Sequence, residues 1–165
     1  MIKQAFAFLL LTCLVAALPA AAQGDQTPTI RDKNGCQIYN PNPQAEETVT
    51  WTGGCRDGFA DGKGVLEWFI GGQLEERYEG TMVGGWAEGV GTFTSRQGVR
   101  YQGEWKKSLQ DGKGVSQSAD GSRYEGQWRA GKPHGRGTYV SPNGESIEGE
   151  WENGELKAGS SSRRI

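Results

Sequence analysis

Tyr124-Glu125-Gly126-Gln127-Trp128-Arg129-Ala130-Gly131-Lys132-Pro133-His134-Gly135-Arg136-Gly137-Thr138-Tyr139 is the stretch that decides the fold. Ring-bearing residues and glycines alternate in it with polar ones over two short runs. Side chains of a strand point to opposite faces in turn. Tyr124, Gly126 and Trp128 therefore share one face, and Arg123, Glu125 and Gln127 share the other. Gly135, Gly137 and Tyr139 form a second row of the first kind. Such a segment reads as a β-hairpin with an aromatic face and a charged face, bounded by glycine-rich turns.

The segment is one of a series. Tyr78, Tyr101, Tyr124 and Ile147 recur every 23 residues, with Gly80, Gly103, Gly126 and Gly149 two positions on, then Met82, Trp105, Trp128 and Trp151. Further columns hold Gly89, Gly112 and Gly135; Gly91, Gly114 and Gly137; and Gly98, Gly121 and Gly144. An earlier unit starts at Trp51-Thr52-Gly53, with Cys55 in the tryptophan column, and its span to Tyr78 is 27 residues. A fixed period in the range of about 20–50 residues marks an array whose units are stable only when stacked on their neighbours.

Two consequences follow for the turns and the glycines. Directly opposed residues of an antiparallel pair share a face. An odd-numbered loop is then needed to keep both rows on one side, which predicts a three-residue loop at Pro142-Asn143-Gly144 with Gly144 left-handed. The four extra residues around Gly71-Gly72 are expected to add two to each strand, so that Ile70 and Leu74 extend the apolar face together. A ring lying across so narrow a ribbon needs a bare position opposite, and glycine supplies it. Burying each ring contributes about 2 kcal/mol.

These residues resemble the MORN repeat (membrane occupation and recognition nexus), whose units follow the pattern Tyr-Glu-Gly-x-Trp, then Gly-x-x-His-Gly-x-Gly-x-Tyr. The likeness covers Trp51 to about Leu156. It implies an all-β fold, an elongated single-layer antiparallel ribbon of tandem β-hairpins over residues 49–157. It also implies roles ranging over scaffolding, dimerisation, tethering and phospholipid contact. The sequence departs from the pattern at Met82, which replaces the tryptophan, and at Val115 and Ser116. Only one unit carries the histidine, at His134.

Outside the array, Lys3, the apolar run Ala5 to Leu18, Pro19 and Ala20-Ala21-Ala22 form a signal-peptide pattern over residues 1–22, cut after Ala22. A retained anchor is the alternative, but the run falls short of the ~20 residues that span a bilayer. Export would leave Cys36 and Cys55 as an even pair, which reads as a disulfide; two reduced core cysteines are the alternative. Residues 23–48 then hold a linker and a capping strand or hairpin pinned to the first repeat, and residues 158–165 a disordered tail. Localisation is read as periplasmic or extracellular.

The 18 Lys and Arg against 20 Asp and Glu give a net charge of −2, which offers no broad positive field for nucleic acid. With 35% hydrophobic residues and 27 glycines, a large compact core is hard to build. The phosphate-loop spacing from Gly126 to Lys132 ends in Pro133, without the Ser or Thr or the helix that chemistry requires. His134 reads as a turn residue. Glu79, Glu104, Glu125, Glu148 and Glu150 share the polar face with Arg77, Arg100 and Arg123 and read as a solvated, mutually paired surface. No metal set, cofactor or catalytic group is expected.

The function expected is a non-catalytic exported module for protein–protein interaction or self-association. Its candidate binding face consists of Tyr78, Phe93, Tyr101, Trp105, Tyr124, Trp128, Tyr139 and Trp151. One alternative is a membrane-surface module touching anionic headgroups through Lys106, Lys107, Arg129, Lys132 and Arg136. A second is an envelope protein binding or hydrolysing glycan, with sugars stacked on tryptophan. The exposed last hairpin near Trp151 is a further candidate for self-pairing.

Overall fold

The computed structural model describes residues 27–158 and the backbone of Arg163 and Arg164. The signal-peptide pattern lies outside the described residues. Fourteen strands join in one sheet, and the described residues hold no helix. The repeat array runs through β5 (Phe59–Ile70), β6 (Gln73–Val83), β7 (Trp86–Ser95), β8 (Arg100–Lys106), β9 (Leu109–Gln117), β10 (Arg123–Arg129), β11 (Lys132–Val140) and β12 (Ser146–Glu152). Each of these pairs antiparallel with the next. They follow β1 (Thr29–Arg31), β2 (Gln37–Tyr39), β3 (Glu47–Trp51) and β4 (Gly54–Arg56), and precede β13 (Glu155–Leu156) and β14 (Arg163–Arg164).

The register turns the sequence columns into lines across the sheet. Gly91, Gly103, Gly114, Gly126, Gly137 and Gly149 are each paired with the next, making one unbroken row of backbone without side chains. Beside it runs Trp51, Leu66, Tyr78, Phe93, Tyr101, Ser116, Tyr124, Tyr139 and Ile147, again paired neighbour to neighbour. Tyr124 and Tyr139 are directly opposed, so both rows occupy one face as expected.

The three-residue loop expected between units is present, but the expectation that an odd-numbered loop must join the Tyr124 and Tyr139 rows fails, because Ala130-Gly131 joins them with two residues. Ser141 N–H donates to Glu145 (2.9 Å) and Gly144 N–H to Ser141 (2.9 Å), leaving Pro142-Asn143-Gly144 as a three-residue loop with Gly144 at φ 86°. Arg96-Gln97-Gly98 and Ala119-Asp120-Gly121 repeat this geometry. The opposite edge of the ribbon carries two-residue left-handed turns instead, among them Gly84-Gly85, Lys107-Ser108 and Ala130-Gly131. There the opposed positions have opposite parity, as with Tyr124 and Tyr139, so an even turn keeps the rows together. A register shift between Gly126 and Trp128 completes the match. It places Gly135 at φ 67° on the longer side. The column of Gly89, Gly112 and Gly135 is therefore demanded by backbone conformation, and the column of Gly91, Gly114 and Gly137 by the rings above it.

The insertion around Gly71-Gly72 departs from expectation. Ile70 pairs with Gln73 and Phe69 with Leu74, after a one-residue register shift at Trp68. The chain turns on the two glycines, and the odd residue is absorbed as a bulge instead of being shared between strands. Leu74 is consequently aligned with Phe69 and exposed, so it does not extend the apolar face with Ile70.

The N-terminal cap folds across the first units. β1 and β2 form a hairpin, and β2 makes the sheet's single parallel contact, Gln37 with Phe59. Gln37 N–H donates to Gly58 (2.8 Å) and Tyr39 N–H to Gly85 (3.1 Å), so β2 bridges the first two turns of one edge. Tyr39 stacks on Trp86 (4.1 Å) and Phe59 (5.5 Å). Cys36 and Cys55 are joined by a disulfide, with Cα atoms 5.6 Å apart. Met82 sits with Ile38, Cys36, Ala60 and Ala87 in the buried cluster, where the cap supplies the bulk an indole gives elsewhere. At the far end, β13 and β14 pair with β12, and Lys157 N–H donates to Glu150 (2.8 Å). The outer edge of the last hairpin thus carries the chain's own following residues, and Arg163 and Arg164, within the segment expected to be disordered, form β14.

Candidate functional site

The rings interlock along the glycine row. Tyr78, Tyr101 and Tyr124 alternate with Trp105, Trp128 and Trp151 in edge-to-face contacts with centroids 5.0–5.3 Å apart, each adding about 0.5–1.5 kcal/mol beyond area burial. Each of these three indole N–H groups donates to a glycine carbonyl 14 residues back: Trp105 to Gly91 (3.2 Å), Trp128 to Gly114 (3.1 Å) and Trp151 to Gly137 (3.0 Å). Each of these three tyrosine hydroxyls donates to the carbonyl three residues on: Tyr78 to Thr81, Tyr101 to Glu104 and Tyr124 to Gln127, at 3.0–3.1 Å. Polar atoms that burial would strand are thereby satisfied.

Of the candidate binding face, Tyr78, Tyr101, Tyr124 and Trp105 are buried, whereas Phe93, Trp128, Tyr139 and Trp151 are half-buried. Phe93 tilts against Trp105 and Tyr139 against Trp151; Ser116 stands at the equivalent position beside Trp128 and offers no ring. Burial pushes the phenols of Tyr78 and Tyr124 up to about 12 and raises that of Tyr101. A phenol raised in the folded state but ordinary when unfolded stabilises the fold below its ordinary value of 10.0 and ceases to do so as pH climbs toward 12. Absorbance at 295 nm from these three phenols is therefore expected to rise together with loss of near-ultraviolet circular dichroism across that interval. Ionisation of all three with the dichroism intact is the contrary result.

Only part of the ring row borders a cleft. A cleft of about 690 Å³ lies between the ring face and the cap loop that follows β2. Leu66, Trp68, Tyr78, Phe93 and Trp105 form its floor, and Tyr39, Asn40, Pro41, Asn42 and Gln44 form a wall. Glu47, Glu75 and Glu76 also border it, and no Lys or Arg does. Glu75 accepts from Arg96 (3.1 Å) and Gln97 (3.3 Å) on the rim, while Glu47 accepts from Asn40 (2.6 Å) and Gln44 N–H (3.1 Å). The Glu76 carboxyl, although it reaches solvent, is held above the usual carboxylate range by surrounding protein and then by Glu47 and Glu75. Tyr101, Tyr124, Trp128, Tyr139 and Trp151 lie along the ladder beyond the cleft.

The candidate anion contacts separate into two groups. Lys106 leads into one turn and Lys107 lies in it, and Arg129 and Lys132 pair across the next. Gly131 N–H donates to Gln110 (2.9 Å), which ties the turns together. Arg136 lies within β11 and is ion-paired with Glu150 (3.2 Å). On the charged face Arg77 reaches Glu79 (3.0 Å) and Arg123 reaches Glu125 (2.6 Å), as a mutually paired surface would.

Two side-chain roles escaped the sequence reading. Glu104 accepts from Lys113 N–H (2.8 Å) and Gln127 from Arg136 N–H (3.1 Å), clamping the bulge in these two units. Glu88 accepts from Lys107 N–H (3.0 Å) and Asp111 from Ala130 N–H (3.1 Å), fastening each turn to the unit before it. The signal for both was their recurrence at the 23-residue period. His134 occupies the same column as Glu88 and Asp111, and its Nδ1 is buried with no hydrogen-bond partner among the described residues.

No curated protein matches the chain. The family model of the MORN repeat matches it four times, over residues 50–73, 78–100, 101–123 and 124–146, together more than half of the 165 residues. The first match starts in β3 and takes in β4 and the unit with the insertion, and the other three run at the 23-residue period within the hairpin ribbon just described. The chain belongs to the MORN-repeat family.

Proposed function

We propose that this protein is an exported, non-catalytic binding module that holds a protein partner in the cleft between its aromatic face and its N-terminal cap. The observation that carries the reading is the cleft itself. Elsewhere the rings are spent on one another and on the glycine row, but here Trp68, Phe93 and Trp105 border a space within the ~300–1,000 Å³ range of binding sites. Exposed apolar lining with a few convergent polar groups is what recognition surfaces offer. The disulfide fits an oxidising compartment, and the leader pattern at residues 1–22 supports export to it. Family membership supports a binding role over a chemical one.

A photo-crosslinking residue placed at Gln97 on the cleft rim, at Lys107 on the cationic turn edge, and at Arg123 on the charged face tests this in cells. Reproducible protein adducts from position 97 and none from 123 are expected. Lipid adducts from position 107, with none from 97, overturn the reading in favour of contact with anionic headgroups.

A further inference from the structure

We propose that the cleft accepts an extended, cationic peptide segment, with a lysine or arginine stem lying along Trp68 and Phe93 and its charged head among Glu47, Glu75 and Glu76. The inference rests on the cleft being the binding site and names the chemistry of its occupant. Charge selects the occupant. Three carboxylates border the space and no basic side chain does. Arg96 compensates Glu75 from the rim, while neither Glu47 nor Glu76 has an ion-pair partner among the described residues. An anionic or purely apolar ligand would leave those carboxylates desolvated without compensation, which is costly. A metal ion is a poorer match, because no three His, Cys, Asp or Glu side chains converge as ligands among the described residues.

The aromatic floor suits the same occupant. Lysine and arginine lay long methylene stems along apolar surface and keep their heads in polar surroundings, and a cation over an indole or phenyl face gains further attraction. Binding should also depend on pH. Glu76 faces Trp68 and Ser95 across its two neighbouring strands. The charged groups around it are Glu75 in its own strand, Glu47 in β3, and Arg96 paired with Glu75. A cation favours the ionised carboxyl, so affinity rises with pH through the Glu76 titration and is lost on acidification.

The test displays random octapeptides to the purified protein and to a variant carrying Glu47→Gln, Glu75→Gln and Glu76→Gln. Because Glu47 and Glu75 also hold Asn40, Gln44, Arg96 and Gln97, Glu76→Gln alone is run beside the triple variant as the change that leaves those contacts in place, and its thermal melt is expected to match the parent's. Selected peptides are expected to be enriched in Lys and Arg next to apolar residues. Their binding should weaken in both, roughly tenfold or more in the triple variant, and fall between pH 7 and about 4 in the parent only. Enrichment of neutral or acidic peptides, cationic peptides that bind the triple variant equally well, or no enrichment overturns the inference. Protein adducts at Gln97 alongside any of those results would leave the cleft as a binding site for a different chemistry. Absence of such adducts would count against the cleft itself.

Discussion

Gly114→Ala is expected to lower the melting temperature by on the order of 10 °C, corresponding to about 3 kcal/mol. A methyl group there would enter the ring of Tyr101, which is 1% exposed and is fixed by its hydroxyl on Glu104 and by edge contacts with Trp105 and Trp128. The ring cannot retreat without breaking all of these. Gly121→Ala is the internal comparison. A Cβ at Gly121 meets nothing within 4 Å, and its cost is the left-handed backbone at φ 88° alone, on the order of 1–2 kcal/mol. Melts followed by tryptophan fluorescence separate the two causes. Equal losses at both positions would mean that the glycine row is not there to make room for rings.

Breaking the bridge by Cys55→Ser is expected to cost about 3 kcal/mol, within the 2–5 kcal/mol typical of native disulfides. The link spans 19 residues and ties the β1–β2 hairpin to β4, the outer strand beside β5. The other holds on the cap are local: two backbone bonds to turn carbonyls, the stack of Tyr39 on Trp86 and Phe59, the buried Ile38 side chain and the bond from Asn40 to Glu47. Loosening should therefore be local. Limited proteolysis is expected to cut within residues 27–46 of the variant while residues 78–152 resist, and reductant should lower the melt of the parent protein. An unchanged melt, with thiols already titratable in the native protein, defeats the assignment. The cap loop is also one wall of the cleft, so the same variant should lose binding without losing the ribbon.

Much of this architecture is legible in the sequence because the relevant physics is local. Strand alternation places Tyr124, Gly126 and Trp128 together, parity dictates the loop at Pro142-Asn143-Gly144, and an even cysteine pair in a chain with a leader pattern points to Cys36 with Cys55. What is not legible depends on how strands depart from ideal register. Counting positions could not show that Gly135 sits in a wide bulge, or that the bulge needs Gln127 to close it. The same blindness misplaced Leu74, since a one-residue bulge costs little and flips a side chain to the other face. For the site, the ring column is plain in the sequence, but which rings remain reachable is not. Tyr101 and Tyr124 disappear beneath their neighbours, and the cleft exists only because residues 39–47 fold back over β5 to β7. Trp68, Glu75 and Glu76, which border it, lie in the unit that breaks the period, where column alignment is weakest.

Trp105, Trp128 and Trp151 each complete the unit before their own, lending an indole N–H to a carbonyl 14 residues upstream and a ring edge to the preceding tyrosine. Sequence periods and physical units are thus out of phase by one strand. The fourth match ends at residue 146, yet the side chain that roofs Tyr124 and Gly137 is Trp151. A ribbon of this kind therefore closes only with an orphan strand after its final period. Any excised fragment, fusion or transplanted segment cut at the periodic boundary would open its own interior to water.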